Sequence, residues 1–259
     1  MRVLITGGAG SVGKMLAKSL DHEIVLFDKD DHQLWEAKHL FPEVQTVLGD
    51  VRTTEDLRHW VKWADLVIHA AAYKNIEITE LNPLATTDND FRGTACVVHE
   101  CMKHDNKKMI LVSTDKAVYP VSVLGASKLL AEKLVLSHGF TVARFVNVEE
   151  TRGNVFDLWR KEHRAGLPLS LTDERMERHF NTEAGVVSLF KYIIDTFEGG
   201  EVFIPNVPKL KVIDKMRSIY GDCEYNIVGI RKNEKLYDPL MTEEETGRSD
   251  LVSNFIIIK

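Results

Sequence analysis

The sequence predicts an α/β fold in which a doubly wound parallel sheet carries a small discontinuous lobe, and three observations predict it. Apolar runs at 3–5, 24–27, 44–48, 66–68, 109–112 and 142–145 alternate with helix-period segments, among them 12–20, 34–40, 54–63 and 85–102. That alternation is the pattern of successive βαβ units. The first run passes directly into a glycine-rich turn at 6–13 that opens a helix. After Phe145 the rhythm changes to short runs at 169–171, 202–204 and 227–230, separated by charged and proline-bearing stretches. These read as the lobe, built over the strand ends, and a helix at about 183–196 reads as returning to the sheet. The division is therefore 1–146 with about 183–202 for the sheet domain, and 147–182 with 203–259 for the lobe.

A chain of 259 residues that is 44% hydrophobic can bury a large core in one domain or one domain plus a small lobe. Its net charge of -6 supplies no basic surplus for gripping phosphodiester backbones, so nucleic acid is not expected as a partner. Cys96, Cys101 and Cys223 are odd in number and form no Cys-x-x-Cys, which suggests neither a disulfide framework nor a metal site and suits a reducing cytoplasm. No apolar run approaches a membrane span, and the first strand begins too early for a signal peptide's apolar stretch. No membrane partner is expected.

In Thr6-Gly7-Gly8-Ala9-Gly10-Ser11-Val12-Gly13, Gly7 permits a tight turn, Gly10 lets the backbone approach a pyrophosphate, and Gly13 lets helix and strand pack closely. Ser11 and Val12 open the helix whose N-terminus would face the anion. Such glycines alone could be an ordinary strand-to-helix turn. Asp28, 21 residues after Gly7 at the end of the second strand, makes the pattern one of dinucleotide binding, a Rossmann arrangement. Asp28 can accept both ribose hydroxyls of NAD and would repel the extra phosphate of NADP, although Lys29 beside it offsets part of that repulsion. NAD is the expected cofactor, with NADP left open. At the end of the fourth strand, Ala70, Ala71 and Ala72 are small enough to let backbone lie against the cofactor, and His69 reads as a satisfied strand-end histidine rather than a catalyst.

The chemistry gathers after the strand at 108–112. Ser113-Thr114-Asp115-Lys116 stands at that strand's C-terminal end, where open α/β sheets bind ligands, and Lys128 follows 12 residues after Lys116 on a helix at 122–138. Leu124 and Lys128 are spaced i and i+4, so they share one helix face. The short-chain dehydrogenase/reductase pattern Tyr-x-x-x-Lys would have tyrosine where Leu124 stands.

With Ser-Thr-Asp-Lys-Ala-Val-Tyr-Pro at 113–120 and Gly-Ala-Ser-Lys at 125–128, the chain resembles the UDP-N-acetylglucosamine 4,6-dehydratases that invert C5. These form a branch of the extended short-chain dehydrogenase/reductases that serves surface-polysaccharide and glycan synthesis, and some have methionine at the tyrosine position. The resemblance implies oxidation of C4 to a ketone, which makes the C5 proton acidic, then loss of the C6 hydroxyl as water and return of the hydride to C6. It assigns Asp115 as the acid at C6, Lys116 as the base at C5 and Lys128 as the holder of the nicotinamide ribose. Lys116 would need its pKa depressed toward neutrality, and both neighbours can meet one sugar only if the chain leaves strand geometry after Thr114. Thr114, a water, or Lys116 acting twice are candidates for the proton transfer that Leu124 cannot perform, with Tyr119 and Tyr73 as remoter ones.

The same resemblance extends along nearly the whole chain. Gly49-Asp50-Val51-Arg52 is similar to the family's adenine-contacting turn, which assigns Asp50 and Val51 to the cofactor, although Asp50 could equally cap the helix at Thr54. Segments 71–83, 144–153, 172–180, 208–211 and 229–236 are similar to family segments around the nucleotide sugar. They assign Lys74, Asn147, Arg152, Arg178, Lys211, Arg231 and Glu234 to the substrate-binding lobe, with arginines suited to a diphosphate and Glu234 to a ribose. Asp90 stands where the family usually has asparagine, Glu149-Glu150 replaces an apolar-glycine pair, and the chain is shorter than typical members. A UDP-sugar substrate and a homo-oligomer follow from the resemblance. A UDP-hexose 4-epimerase would use the same oxidation without the Asp115 and Lys116 elimination, and a non-catalytic dinucleotide-binding protein would be consistent with Leu124.

Overall fold

The computed structural model describes residues 1–105 and 107–259. The first half builds a sheet and its covering helices in strict alternation: β1 (Arg2–Thr6), α1 (Ser11–Ser19), β2 (Glu23–Asp28), α2 (Asp31–Leu40), β3 (Gln45–Leu48), α3 (Thr54–Trp63) and β4 (Leu66–His69). Then come α4 (Ile76–Leu81), α5 (Pro83–Thr87), one π-helical turn at Asp88–Arg92, α6 (Gly93–Met102), β5 (Lys108–Thr114), a 3-10 turn at Asp115–Ala117, α7 (Val123–Ser137) and β6 (Thr141–Phe145). The second half contributes β7 (Asn147–Val148), α8 (Val155–Arg164), β8 (Leu169–Leu171), β9 (Glu177–Asn181), α9 (Glu183–Thr196) and β10 (Val202–Pro205). It ends with β11 (Lys209–Lys211), α10 (Val212–Tyr220), β12 (Tyr225–Ile227), α11 (Glu243–Thr246), β13 (Ser249–Val252) and β14 (Phe255–Ile258).

The main sheet runs β13-β14-β10-β6-β5-β4-β1-β2-β3. From β10 to β3 all pairings are parallel, which the sequence allows because strands such as β4 and β6 are buried along their whole length. One face is covered by α1, α2 and α9 through Leu16, Leu34, Phe190 and Ile193, the other by α3, α6 and α7 through Leu57, Val97, Ala131 and Val135. The strand order reverses between β1 and β4, and the crevice at such a switch point is where doubly wound sheets bind ligands.

The lobe has its own small core, in which Phe156, Trp159, Met176, Phe180 and Met216 pack together under the strand trio β11-β9-β7 and the pair β12-β8. The expectation that 203–259 lies wholly in the lobe is corrected here. Phe255-Ile256-Ile257-Ile258 is apolar on both faces and buried, so β14 pairs antiparallel with β10 and, with β13, closes the edge of the main sheet. The strand read at 227–230 lies instead at 225–227. The single helix read at 85–102 is split by the π-helical turn, where Asp90 is buried and its carbonyl oxygen accepts from the Thr94 hydroxyl at 2.5 Å.

One buried ion triad ties the C-terminal segment to the sheet. Arg144 on β6 donates to Glu132 of α7 at 3.1 and 2.7 Å, to Glu245 of α11 at 3.0 and 2.9 Å, and to the Leu240 carbonyl at 3.0 Å. Burial would raise the Glu245 carboxyl, and the Arg144 guanidinium outweighs burial and holds it below its ordinary range. Removing the guanidinium would strand two carboxylates, so Arg144→Leu is expected to cost about 3–5 kcal/mol in urea unfolding. A loss below about 1 kcal/mol, the worth of an exposed pair, would contradict the triad's role.

Candidate active site

The cofactor side of the site is shaped by what its backbone leaves out. Gly7 has φ +67°, and a Cβ there would sit 2.5 Å from the Ala71 nitrogen; at Gly13 it would sit 2.1 Å from the Gly8 carbonyl oxygen. The first approach brings the glycine loop against Ala70 and Ala71 just past β4, at the switch point, and the second lets α1 close on the loop itself. Gly10 is the N-cap of α1 and offers no side-chain cap, so the first N–H groups of the helix, from Ser11 and Val12, are left for a ligand. Asp28 accepts from the backbone N–H of Ala9 at 3.1 Å and of Asp30 at 3.2 Å. Burial raises its pKa, which those N–H groups offset in part. Lys29 turns away to Asn89 Oδ1 at 2.8 Å and the Tyr73 hydroxyl at 3.2 Å. Asp50 does not cap α3; it is held by Arg52, whose hydrogen bonds bring its pKa to about 2. Val51 beside it is buried against Gly93.

His69 is a structural histidine. The Thr94 hydroxyl spends its hydrogen on the Asp90 carbonyl, so it accepts from His69 Nε2 at 3.0 Å, and Nδ1 accepts from Thr6 at 2.6 Å. Burial, with the nearby Lys128 charge, lowers its pKa to about 3.

The chemical side begins where β5 ends. The chain leaves strand geometry at Asp115–Ala117, so neighbours that would point to opposite faces converge, and Lys116 Nζ reaches Asp115 Oδ1 at 3.0 Å. Thr114 donates its hydroxyl hydrogen to the same Oδ1 at 2.9 Å and accepts from the Lys116 N–H at 3.4 Å. Helix α7 lies against this turn because Gly125 has no side chain: a Cβ there would meet the Lys116 carbonyl at 2.3 Å. Lys128, buried, donates to the Val112 carbonyl at 2.9 Å, and burial lowers its pKa against the opposing charges of Asp90 and Glu132. Leu124 is buried one turn before it. Buried polar atoms ordinarily find partners, and among the described residues Asp90 Oδ2, Ser113 Oγ and Asp115 Oδ2, all from segments around this edge, have none.

Two expectations change. Lys116 was expected to be depressed; burial does work to lower it, but the carboxylates of Asp115 and Asp238 outweigh burial and hold it above its ordinary value. Arg178 was expected to face a phosphate. It is buried instead, donating to the carbonyls of Glu177, Leu236 and Lys235 at 2.8–2.9 Å and pairing with Asp238 at 3.3 Å, so its donors are committed within the lobe.

The other assigned residues are spread out. Arg152 lies by the cofactor loop, its N–H donating to Ser11 Oγ at 3.2 Å and its guanidinium to Gln33, while Lys74 donates to its carbonyl. Asn147 clamps β7 to β9 through the His179 carbonyl at 3.1 Å. Lys211 is exposed on β11, and Arg231, 51% exposed, lies 3.8 Å from Glu234, which also approaches Arg178 at 3.7 Å. Tyr119 accepts from the Glu243 N–H, which turns its hydroxyl toward α11. Sequence reasoning missed Asp238, which falls two residues past the last matching segment, and gave no role to Glu80. Glu80 accepts from the Val123 N–H and from Asn233, both at 2.5 Å, joining α7 to the lobe.

Fold and site together define a doubly wound chain with a glycine-rich turn at its switch point and a carboxyl group paired with a lysine at its ligand edge. A family model described as polysaccharide biosynthesis protein matches residues 3–259, and the chain belongs to that family. It is 34% identical over 277 residues to the UDP-N-acetylglucosamine 4,6-dehydratase (inverting) of Campylobacter jejuni, covering 99% of this chain and 82% of that protein. It is 30% identical to the UDP-glucose 4-epimerase of Rickettsia massiliae, covering 96% and 80%. Among solved structures it is similar to Pen from Bacillus thuringiensis, with TM-score 0.92, 26% identity and coverage of 99% and 88%. It also matches the fold of the dTDP-glucose 4,6-dehydratase DesIV from Streptomyces venezuelae, solved with NAD and TYD, with TM-score 0.82, 20% identity and coverage of 98% and 93%.

The depressed His69 pKa has a measurable consequence. In an NMR titration its ring is expected to stay neutral from pH 8 to pH 5, because its folded pKa is about 3 against an ordinary 6.5. Below that ordinary value the unfolded chain takes up a proton that the folded chain refuses, so this contribution to stability is present above pH 6.5 and lost as pH falls toward 3. A midpoint near 6.5 would contradict the buried hydrogen-bonded assignment.

Proposed function

We propose that this chain dehydrates UDP-N-acetylglucosamine across C5 and C6 with inversion at C5, as an NAD-dependent lyase of surface-polysaccharide or glycan synthesis. The observation that carries the reading is the 3.0 Å contact between Lys116 and Asp115 in a turn that has left strand geometry, at the sheet edge that also holds Lys128. The relative in C. jejuni, similar over nearly the whole chain, supports the substrate and the stereochemistry.

The cradle fits NAD: Gly7, Gly10 and Gly13 leave room for a pyrophosphate at the uncapped start of α1, Asp28 suits ribose hydroxyls, and Asp50, Val51 and Ala70–Ala72 are the further residues proposed to meet the cofactor. Lys29, engaged by Asn89 and Tyr73, is not paired with Asp28, which favours NAD over NADP. When bound, NAD supplies a reversible acceptor for the C4 hydride. Lys128, with one hydrogen spent on Val112, keeps donors for the nicotinamide ribose.

Lys116 rests as an ammonium, whereas the C5 step needs an amine. Its contact with Asp115 resolves this, because moving one proton from Nζ to the carboxylate produces the free amine and the carboxylic acid together. The amine then takes the C5 proton, acidified by the C4 ketone, while Asp115 protonates the departing C6 hydroxyl, and a solvent-derived proton delivered to C5 from the opposite face replaces the one removed and inverts the centre. Leu124 can contribute no proton, and Thr114 has its hydrogen engaged by Asp115, so the C4 hydroxyl proton falls to Lys116 or to a water.

Lys74, Asn147, Arg152, Lys211, Arg231 and Glu234 remain the residues proposed to surround the nucleotide, with Arg178 supporting them from beneath. Exposed apolar side chains at Ile78, Leu81, Leu84 and Leu130 support pairing with a second copy over α4, α5 and α7. The free cysteines suit a reducing cytoplasm. No helix among the described residues is long and apolar enough to cross a membrane.

Incubation with UDP-N-acetylglucosamine in D₂O, followed by NMR, tests the reading. A 6-deoxy-4-keto product carrying deuterium at C5 is expected; the galacto isomer without deuterium would establish an epimerase, and unchanged sugar a binding protein. Asp115→Asn is expected to slow dehydration by about 10²- to 10⁴-fold while NAD binding persists.

A further inference from the structure

Lys116 belongs to the sheet, yet its second carboxylate comes from the lobe. Asp238, only 2% exposed, places Oδ2 at 3.6 Å from Lys116 Nζ and 3.3 Å from Arg178 Nε, and Oδ1 at 3.1 Å from Lys235 Nζ. Each of those cations is itself anchored. Arg178 grips the carbonyls of Lys235 and Leu236 at 2.8 Å, which fixes the segment bearing Asp238 onto β9. Lys235 donates to the Val118 carbonyl at 2.8 Å, just past the catalytic turn. Asp238 thus stands at the junction where lobe and sheet meet beside the proposed base.

We infer that Asp238 is a positioning residue for the C5 base: from the lobe side it holds the Lys116 amine beside Asp115, so the base is set only when the nucleotide-binding lobe is docked on the sheet. The inference rests on the dehydratase reading and deepens it. Its physical support is the charge balance around Lys116. The groups facing it are Asp115 from its own turn, Asp238 from the lobe, and Arg178 of β9 behind Asp238; Lys235 and Glu234 flank these. When Lys116 passes its proton to Asp115, Asp238 keeps Arg178 and Lys235 as counter-charges, so no buried anion is left unpaired. Burial acts to raise the Asp238 carboxyl, and Lys116 and Arg178 outweigh it, keeping the group ionised through the cycle. A neutral partner at 238 would leave Lys116 with one carboxylate in place of two. The amine would then lose its proton at lower pH and lose its second point of attachment.

The test compares the full-length wild type with Asp238→Asn and Asp238→Glu. For Asp238→Asn, kcat for dehydration is expected to fall by about 10- to 100-fold, the cost of a misplaced group. KM for UDP-N-acetylglucosamine and NAD affinity should stay within about threefold, and the alkaline limb of the kcat profile, where Lys116 gives up its proton to solvent, should move to lower pH. Asp238→Glu should restore that limb and part of kcat. Competitive acetylation with acetic anhydride across pH, read by mass spectrometry at Lys116, should show the same shift independently of turnover. Wild-type kcat with an unmoved limb in Asp238→Asn would overturn the inference. So would lost activity with lost NAD binding and unchanged Lys116 reactivity, which would mark a merely structural residue. Should the wild type form no dehydrated sugar, the functional reading falls, and the acetylation profile still decides whether Asp238 governs Lys116.

Discussion

A protonated amine caught between two buried carboxylates is the interaction on which the rest of this site depends. Lys116 sits 3.0 Å from Asp115 and 3.6 Å from Asp238. Such a cluster is costly to bury unless every charge is compensated. Compensation here comes from both halves of the molecule, so the site exists only where sheet and lobe are joined. The ammonium form at rest is no obstacle to base chemistry. The proton it would lose has an acceptor in direct contact, and that acceptor is the group proposed to give a proton up later.

Much of the surrounding architecture serves to bring backbone close to this turn. Gly125 lets α7 rest on the Lys116 carbonyl, which sets the distance from the turn to Lys128. Glu80 satisfies the N–H of Val123 at the start of that helix and holds Asn233 of the lobe at the same time. On the other side of the crevice, Gly7 brings the cofactor loop against Ala70 and Ala71. A site assembled from close backbone approaches tolerates little added volume, and the missing Cβ atoms are as much a part of it as the charged groups.

The fold was legible because it rests on periodicity. Buried parallel strands such as Leu66–His69 and Thr141–Phe145 are hidden on both faces, and a doubly wound sheet accommodates several of them in a row. The glycine turn and the place of Asp28 at the end of β2 were legible for a similar reason, since they stand at spacings that backbone geometry imposes. The C-terminal hairpin was not. Phe255–Ile258 looks like any short apolar run, and its partner β10 lies some fifty residues earlier in the chain. The charge on Lys116 was misread because Asp238 is 122 positions away in sequence, and a pKa depends on neighbours in space. Arg178 was misread because a motif shows that an arginine is present without showing that its donors are already spent on carbonyls of its own lobe.

The account turns on Lys116 as the group that removes the C5 proton. Its most direct measurement is deuterium incorporation at C5 of UDP-N-acetylglucosamine in D₂O by Lys116→Ala, with NAD saturation verified beforehand. The account expects no C5 deuterium above background while the protein remains folded and cofactor-loaded. Incorporation at the wild-type rate would contradict it.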